Sequence, residues 1–267
     1  MRNLKDILKE SILDNIDTQI KKGDNAIKDE IKSFLKENYK GAIKISKTPN
    51  ADGLYEVSSG RNIEVTNKNI TSLTNGMFIW TIANRNFIVS YCDSLKSLEG
   101  APKEVTGDFN CSDCTNLTSL EGAPEKVGGD FYCNFNKSLT SLEGAAKEVG
   151  RDFNCSNCIN LTSLKGAPKE VGGNFYCSRC DSLTSLEGAP KEVGEDFSCY
   201  NCKSLKSLKG ASKKVGKHFD CSGCDSLTSL EGAPKEVGGK FYCYINASNF
   251  TEDDVKKISN VKGETVC

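Results

Sequence analysis

Apolar positions recur along this chain in two rhythms. In the N-terminal part the rhythm is helical. Leu4, Ile7, Leu8, Ile12 and Ile16 make one stripe, and Ile27, Ile31, Phe34 and Leu35 make a second, each at the i, i+3, i+4 spacing of an amphipathic helix. The pattern predicts a break around Gly23, with Asp24 as N-cap of the second helix and Gly41 as its stop. Ala42 to Ser46 and Leu54 to Ser58 flank T-P-N-A-D-G and read as a hairpin, and Ile63 and Val65 continue as strand.

Further on, the rhythm becomes a strict period of 22 residues. Phe109, Phe131, Phe153, Phe175, Phe197, Phe219 and Phe241 keep this step, as do Cys111, Cys133, Cys155, Cys177, Cys199, Cys221 and Cys243. Seven units fill residues 93–246 without insertion or deletion, with the consensus S-L-T-S-L-E-G-A-P-K-E-V-G-G-D-F-Y-C-S-N-C-K. A period of this size marks a stacked array, and it suits one coil of a β-solenoid. Leu117, Leu120, Ala123, Val127, Phe131 and Cys133 stand for the columns expected to face inward. Phe-x-Cys has the alternation of a strand with its middle residue outside. Gly-Ala-Pro and Val-Gly-Gly read as turn chemistry, with the proline at a turn or edge. A degenerate earlier unit shows in Ile70, Leu73 and Phe87 to Val89, with 25 residues from Ile70 to Leu95. After the last unit, the run from Thr251 to Asp254 reads as a capping box opening a short helix through Ile258.

The predicted fold is therefore a β-rich solenoid of parallel strands, one coil per 22 residues, with a small N-terminal helical cap and a short C-terminal helix. Its expected divisions are a helical segment (1–41), a hairpin cap (42–67), a degenerate first repeat (68–92), the regular array (93–246) and a C-terminal cap (247–267).

The segment F-x-C-S-x-C-x-S-L resembles the leucine-rich repeat signature L-x-L-x-x-N/C-x-L, with one extra residue before the last leucine. Phe131 to Cys133 takes the strand, and the second cysteine takes the Asn/Cys position. The wider unit, with L-T-S-L-x-G-A-P, is similar to the short bacterial repeats of the Treponema/BspA type. The resemblance covers residues 68–246 and implies the solenoid architecture and a bacterial or phage origin, while saying little about a partner.

Fourteen cysteines raise three chemistries: disulfides, metal sites and buried thiols. The second column reads Cys92, Cys114, Asn136, Cys158, Cys180, Cys202, Cys224 and Asn246. The resemblance implies that this position turns the chain after the strand and hydrogen-bonds neighbouring backbone in a ladder, a task open to Asn and Cys alike. The expected structural ladder is thus Cys114, Asn136, Cys158, Cys180, Cys202, Cys224 and Asn246. Neighbouring C-x-x-C pairs also reproduce a zinc spacing, but the repeat generates that spacing automatically and Asn136 breaks it. Disulfides between stacked coils are disfavoured by in-register parallel geometry. Cys267 falls outside both columns and is expected to be an exposed, reactive thiol.

The net charge of -1 offers no bulk attraction to nucleic acid or an anionic membrane. No signal peptide or spanning segment is read, so the expected compartment is reducing, cytoplasmic or virion-associated. His218 is the single histidine and reads as one variable surface position. No residues are read as catalytic, cofactor-binding or metal-binding, and no enzyme activity or cofactor is expected. What remains is an outward face: Asn110, Tyr132, Asn154, Tyr176, Tyr200, His218, Asp220, Tyr242 and Tyr244. Variable polar residues with tyrosines on a regular sheet suit recognition of a protein or glycan. The alternatives are a structural or assembly protein of phage type, docked or oligomerised through the N-terminal helices, and a zinc-binding repeat protein.

Overall fold

The computed structural model describes residues 23–267. The first predicted helical stripe, Leu4 to Ile16, lies outside them. The rest is a parallel β-solenoid of about ten turns, with one helix at each end. Two strands form per turn, and they stack into two sheets of 11 strands each: sheet A, which holds the Phe-x-Cys strands, and sheet B, which holds the strands ending in the valine column.

The first helix, α1, covers residues 23–38. Gly23 and Asp24 are themselves helical, which corrects the expected N-cap. The break expected around Gly23 borders residues outside the described range. Ile31 and Leu35 are buried and Ile27 is exposed, so the apolar stripe is narrower than the sequence suggested. β1 (Tyr39–Lys40) and β2 (Ile43–Ile45) open the two sheets; β1 runs antiparallel to β4 (Ile63–Val65), and β2 antiparallel to β3 (Tyr55–Ser59). Tyr39 packs on Trp80 and Phe87, with ring centroids 5.5 and 6.4 Å apart. This aromatic group is buried at the N-terminal end of the stack, where β1 and β2 cap the first parallel coil.

Every later pairing is parallel. β3 and β4 continue into β5 (Phe78–Ala83) and β6 (Phe87–Ile88). β7 (Glu104–Val105) to β20 (Phe241–Tyr242) then alternate between the sheets. Sheet A stacks Phe on Phe, as in Phe131 against Phe109 and Phe153. Their rings run through the core at centroid distances of 5.0 to 6.2 Å. Sheet B stacks Val on Val, as in Val127 against Val149. The Val-Gly-Gly segment, expected to be turn, divides: its glycines bend, while its valine and the residue before it form a second strand. Its backbone carries the evidence: Gly128 N–H donates to Val105 O at 2.9 Å, and Gly150 N–H to Val127 O at 2.9 Å. Stacked coils pair these amides whatever the local turn propensity.

The proline column lies outside both strands, as expected for a turn position, and it is buried. Pro102, Pro124, Pro168, Pro190 and Pro234 are buried, while the alanine before most of them is only partly so. Ala146 and Ser212 replace proline and are fully buried; Ser212 Oγ–H donates to Pro190 O at 2.6 Å.

Past the array, α2 (Glu252–Lys256) begins with a capping box. The Thr251 side chain accepts from Asp254 N–H, and the Asp254 carboxylate accepts from Thr251 N–H. β21 (Asn260–Val261) and β22 (Thr265–Val266) then extend both sheets by one more coil. Val266 pairs with Tyr242, so Cys267 stacks over Cys243, with Cα atoms 4.7 Å apart and the two sulfurs bonded. Cys267 therefore belongs to the first cysteine column and is not a free thiol. A final coil of 24 residues instead of 22 hid its register.

Candidate recognition face

Sheet A faces outward through the residue between Phe and Cys. Asn110, Tyr132, Asn154, Tyr176, Ser198, Asp220 and Tyr242 lie in one register, each partly exposed. They divide into two kinds. Asn110, Asn154 and Asp220 accept the backbone N–H two residues on, from Ser112, Ser156 and Ser222, each at 2.9 Å. This is local turn chemistry. The tyrosines stand apart from it. Tyr132 O–H donates to Asp130 at 2.8 Å. Burial first, then this hydrogen bond and the neighbouring carboxylates, push the Tyr132 phenol above its ordinary range. Tyr176 is shifted the same way, by burial and then by Asp152 and Asp196. Tyr200 and Tyr244 sit after the first cysteine column and are exposed.

His218 belongs to another column. Asn86, Asp108, Asp130, Asp152, Asn174, Asp196 and His218 each accept the backbone N–H of the equivalent residue one coil on, at 2.8 to 3.0 Å. His218 is the last rung, its Nδ1 accepting from Lys240 N–H. It is a structural acceptor, which corrects its reading as a merely variable position. Lys240 cannot accept, and its Nζ pairs instead with Glu264 at 2.8 Å.

A second ladder runs inside. The second-column thiols donate back to the preceding coil: Cys114 to Val89 O at 3.1 Å, Cys158 to Cys133 O at 3.2 Å, and Cys202 to Cys177 O at 3.2 Å. Cys180 and Cys224 do the same, to Cys155 O and Cys199 O, both at 3.3 Å. Asn136 sends its amide to Cys111 O and Cys133 O at 3.0 Å and accepts Cys114 N–H at 2.8 Å. Asn246 accepts Cys224 N–H at 2.9 Å and donates to Cys243 O at 2.8 Å. The regular cysteine ladder is thus a set of backbone contacts. Burial pushes the thiols of Cys111, Cys133, Cys177 and Cys221 well above the ordinary range. Among the described residues, no group of three or more His, Cys, Asp or Glu side chains converges as metal ligands would.

One column escaped the sequence reading. Each coil turns after sheet A through a residue in the left-handed region: Tyr91, Asp113, Phe135, Asn157, Arg179, Asn201, Gly223 and Ile245, with φ between 50° and 70°. Asn, Asp and Gly tolerate this conformation; aromatic and β-branched residues do not. The Asp/Asn/Gly members at 22-residue steps were a usable signal. Tyr91, Phe135 and Ile245 are exposed by 62%, 42% and 77%. Tyr91 and Phe135 line a shallow groove of about 330 Å³ with Tyr132, Asn110, Asp113 and Asn134. A larger groove, about 1060 Å³, lies along sheet B. Its floor is a glycine column set by packing: a Cβ on Gly194 would meet Gly172 O at 2.0 Å. Exposed Lys–Glu pairs join neighbouring coils near it, such as Lys147–Glu125 and Lys126–Glu148, both at 3.3 Å.

The chain matches no family model, no curated protein and no solved structure. Among the described residues, no helix is long and apolar enough to cross a membrane.

Proposed function

We propose that this chain is a non-enzymatic recognition module, leucine-rich-repeat-like in its coil, which presents the outward face of sheet A to a protein or glycan partner. The observation that carries this reading is the tyrosine set. Tyr132, Tyr176 and Tyr242 share one register on a rigid ladder, while their Asn and Asp neighbours are committed to turns. Tyrosines held on a stiff sheet supply contact area at little entropic cost. The leucine columns and the Asn/Cys corner support the repeat-family resemblance. The coil departs from that family in closing through a second strand where leucine-rich repeats commonly place a helix or 3-10 turn.

The test is affinity capture and cross-linking with the wild type against a variant carrying Tyr132→Ala, Tyr176→Ala and Tyr242→Ala. Loss of a partner that the wild type retains supports the face. Equal recovery removes it.

A further inference from the structure

We propose that the groove between Tyr91 and Phe135 is a binding subsite for a neutral glycan, which names the partner class for one end of the sheet A face and rests on that face being a recognition surface. Four observations converge here. First, the corner after sheet A demands a left-handed residue in every coil; the chain meets that demand with Asp113, Asn157, Asn201 and Gly223, with Arg179 and Ile245 at corners outside this groove, and only Tyr91 and Phe135 put aromatic rings there. The fold therefore has no need of aromatics at Tyr91 and Phe135, where φ is 61° in both. Bulky side chains held in strained backbone point to function before packing.

Second, both rings are largely exposed. They belong to alternate coils on either side of Asp113, so they stand roughly 10 Å apart at two strand spacings. Exposed aromatic rings at such a separation offer two electron-rich faces to the C–H faces of alternate sugars along a chain. Third, the floor between them is polar and preset. Asn110 Oδ1 is held by Ser112 N–H at 2.9 Å, and Asn134 Oδ1 by Ser112 Oγ–H at 2.7 Å. Fixing both carbonyl oxygens leaves the amide NH2 groups as donors for hydroxyls, with the Asp113 carboxylate as an acceptor beside them. A volume near 330 Å³ suits a small ligand segment more than a folded protein surface.

Fourth, charge selects among glycans. Asp108, Asp130 and Asp152 form the neighbouring ladder, and Asp93 holds Thr115 beside Asp113. Lys68, bonded to Ser90 O at 3.0 Å, and Lys137 near Asp113 offset part of this charge, and the remaining carboxylates oppose uronates, sialylated chains and nucleic acid, which favours neutral sugars.

The test is an NMR titration of the full chain with cellohexaose, maltohexaose, chitohexaose and mannohexaose, with polygalacturonate as the anionic control. The variant carries Tyr91→Asn and Phe135→Asn, the residue this corner already uses at Asn157 and Asn201. We expect at least one neutral probe to shift the amides of Asn110, Ser112 and Asn134. The double variant should weaken that binding by about 10-fold or more, with an unchanged or higher melting temperature. Four outcomes overturn the subsite: no neutral probe binding at millimolar concentration, binding of polygalacturonate alone, equal binding by the double variant, or a protein partner whose capture alone depends on these two rings. A variant with Tyr176→Ala and Tyr242→Ala separates this proposal from the wider one. It should keep the sugar while losing a partner held along the strand face.

Discussion

The Nδ1 of His218 accepts the backbone N–H of Lys240 at 2.9 Å. The ring takes the place that a carboxylate or amide oxygen holds in the six rungs before it. An acceptor Nδ1 requires the tautomer with its proton on Nε2.

The ladder therefore predicts both a spectrum and a stability series. Nitrogen NMR of neutral His218 should show an unprotonated Nδ1 and a protonated Nε2. His218→Asn restores the usual acceptor and should stay within about 0.5 kcal/mol of wild type. His218→Ala strands the Lys240 amide and should cost about 1 kcal/mol by urea unfolding. Equal stability of the two variants would remove the ladder's role at this rung.

Asn136 tests the inner ladder in the same way. Asn136→Cys follows the commoner residue of its column and should cost about 1 kcal/mol or less. Asn136→Leu leaves Cys114 N–H and Cys111 O without a partner, and Cys133 O with only the Cys158 thiol, and should cost about 3 kcal/mol or more. Denaturant midpoints at constant m-value would measure both.

The glycine column along sheet B is a packing requirement. Gly194→Ala forces a Cβ to 2.0 Å from Gly172 O, and backbone cannot give way as a flexible side chain can. A cost near the top of the usual overpacking range, about 3 kcal/mol, is expected. Gly60→Ala meets nothing within 4 Å and should be neutral, or stabilising by up to about 1 kcal/mol. Thermal unfolding of the pair would expose any error in this contrast.

The buried thiols make stability fall on the alkaline side. Burial raises the pKa of Cys111, Cys133, Cys155, Cys177 and Cys221 in the folded chain. Unfolding returns each to the ordinary value of about 8.5. The folded state then holds protons that the unfolded state has lost. The stabilisation is fully present below about pH 8.5 and declines as pH rises through that value towards the folded one. Each such thiol contributes about 1.4 kcal/mol of loss per pH unit. Five together rival the whole stability of a typical domain. Urea midpoints measured from pH 7 to pH 10 should drop steeply above about pH 8.5; a flat profile would contradict the burial of these groups.

The thiols also predict a reagent count. Twelve cysteines are free and buried, and one pair, Cys243 with Cys267, is bonded. A thiol reagent should find almost none in the native protein, twelve after denaturation without reductant, and two more after reduction. Fourteen without reductant would mean that Cys267 merely stacks on Cys243.

The sequence by itself determined the coil. A 22-residue period with Phe, Leu and Cys in fixed columns admits one economical burial, in which each residue stacks on its counterpart. Asn136 among cysteines revealed the inner ladder for the same reason, since one backbone environment recurs in every turn. What the tertiary structure decided is what stacking does to groups that are ambiguous alone. Val-Gly-Gly reads as turn and its glycines do bend, yet its valine closes a short strand that pairs with the neighbouring coils in a second sheet. Proline reads as a turn residue and lies outside the strands, but only the stacked coils show that it is buried. Cys267 looked isolated until the longer last coil put it over Cys243. The left-handed corner is a backbone property, and only the folded chain distinguished Tyr91 and Phe135, which the conformation strains, from Asn157 and Asn201, which it suits. Period and side-chain type fix which residues repeat, while the φ of a corner and the partner of an amide depend on the coil beside it.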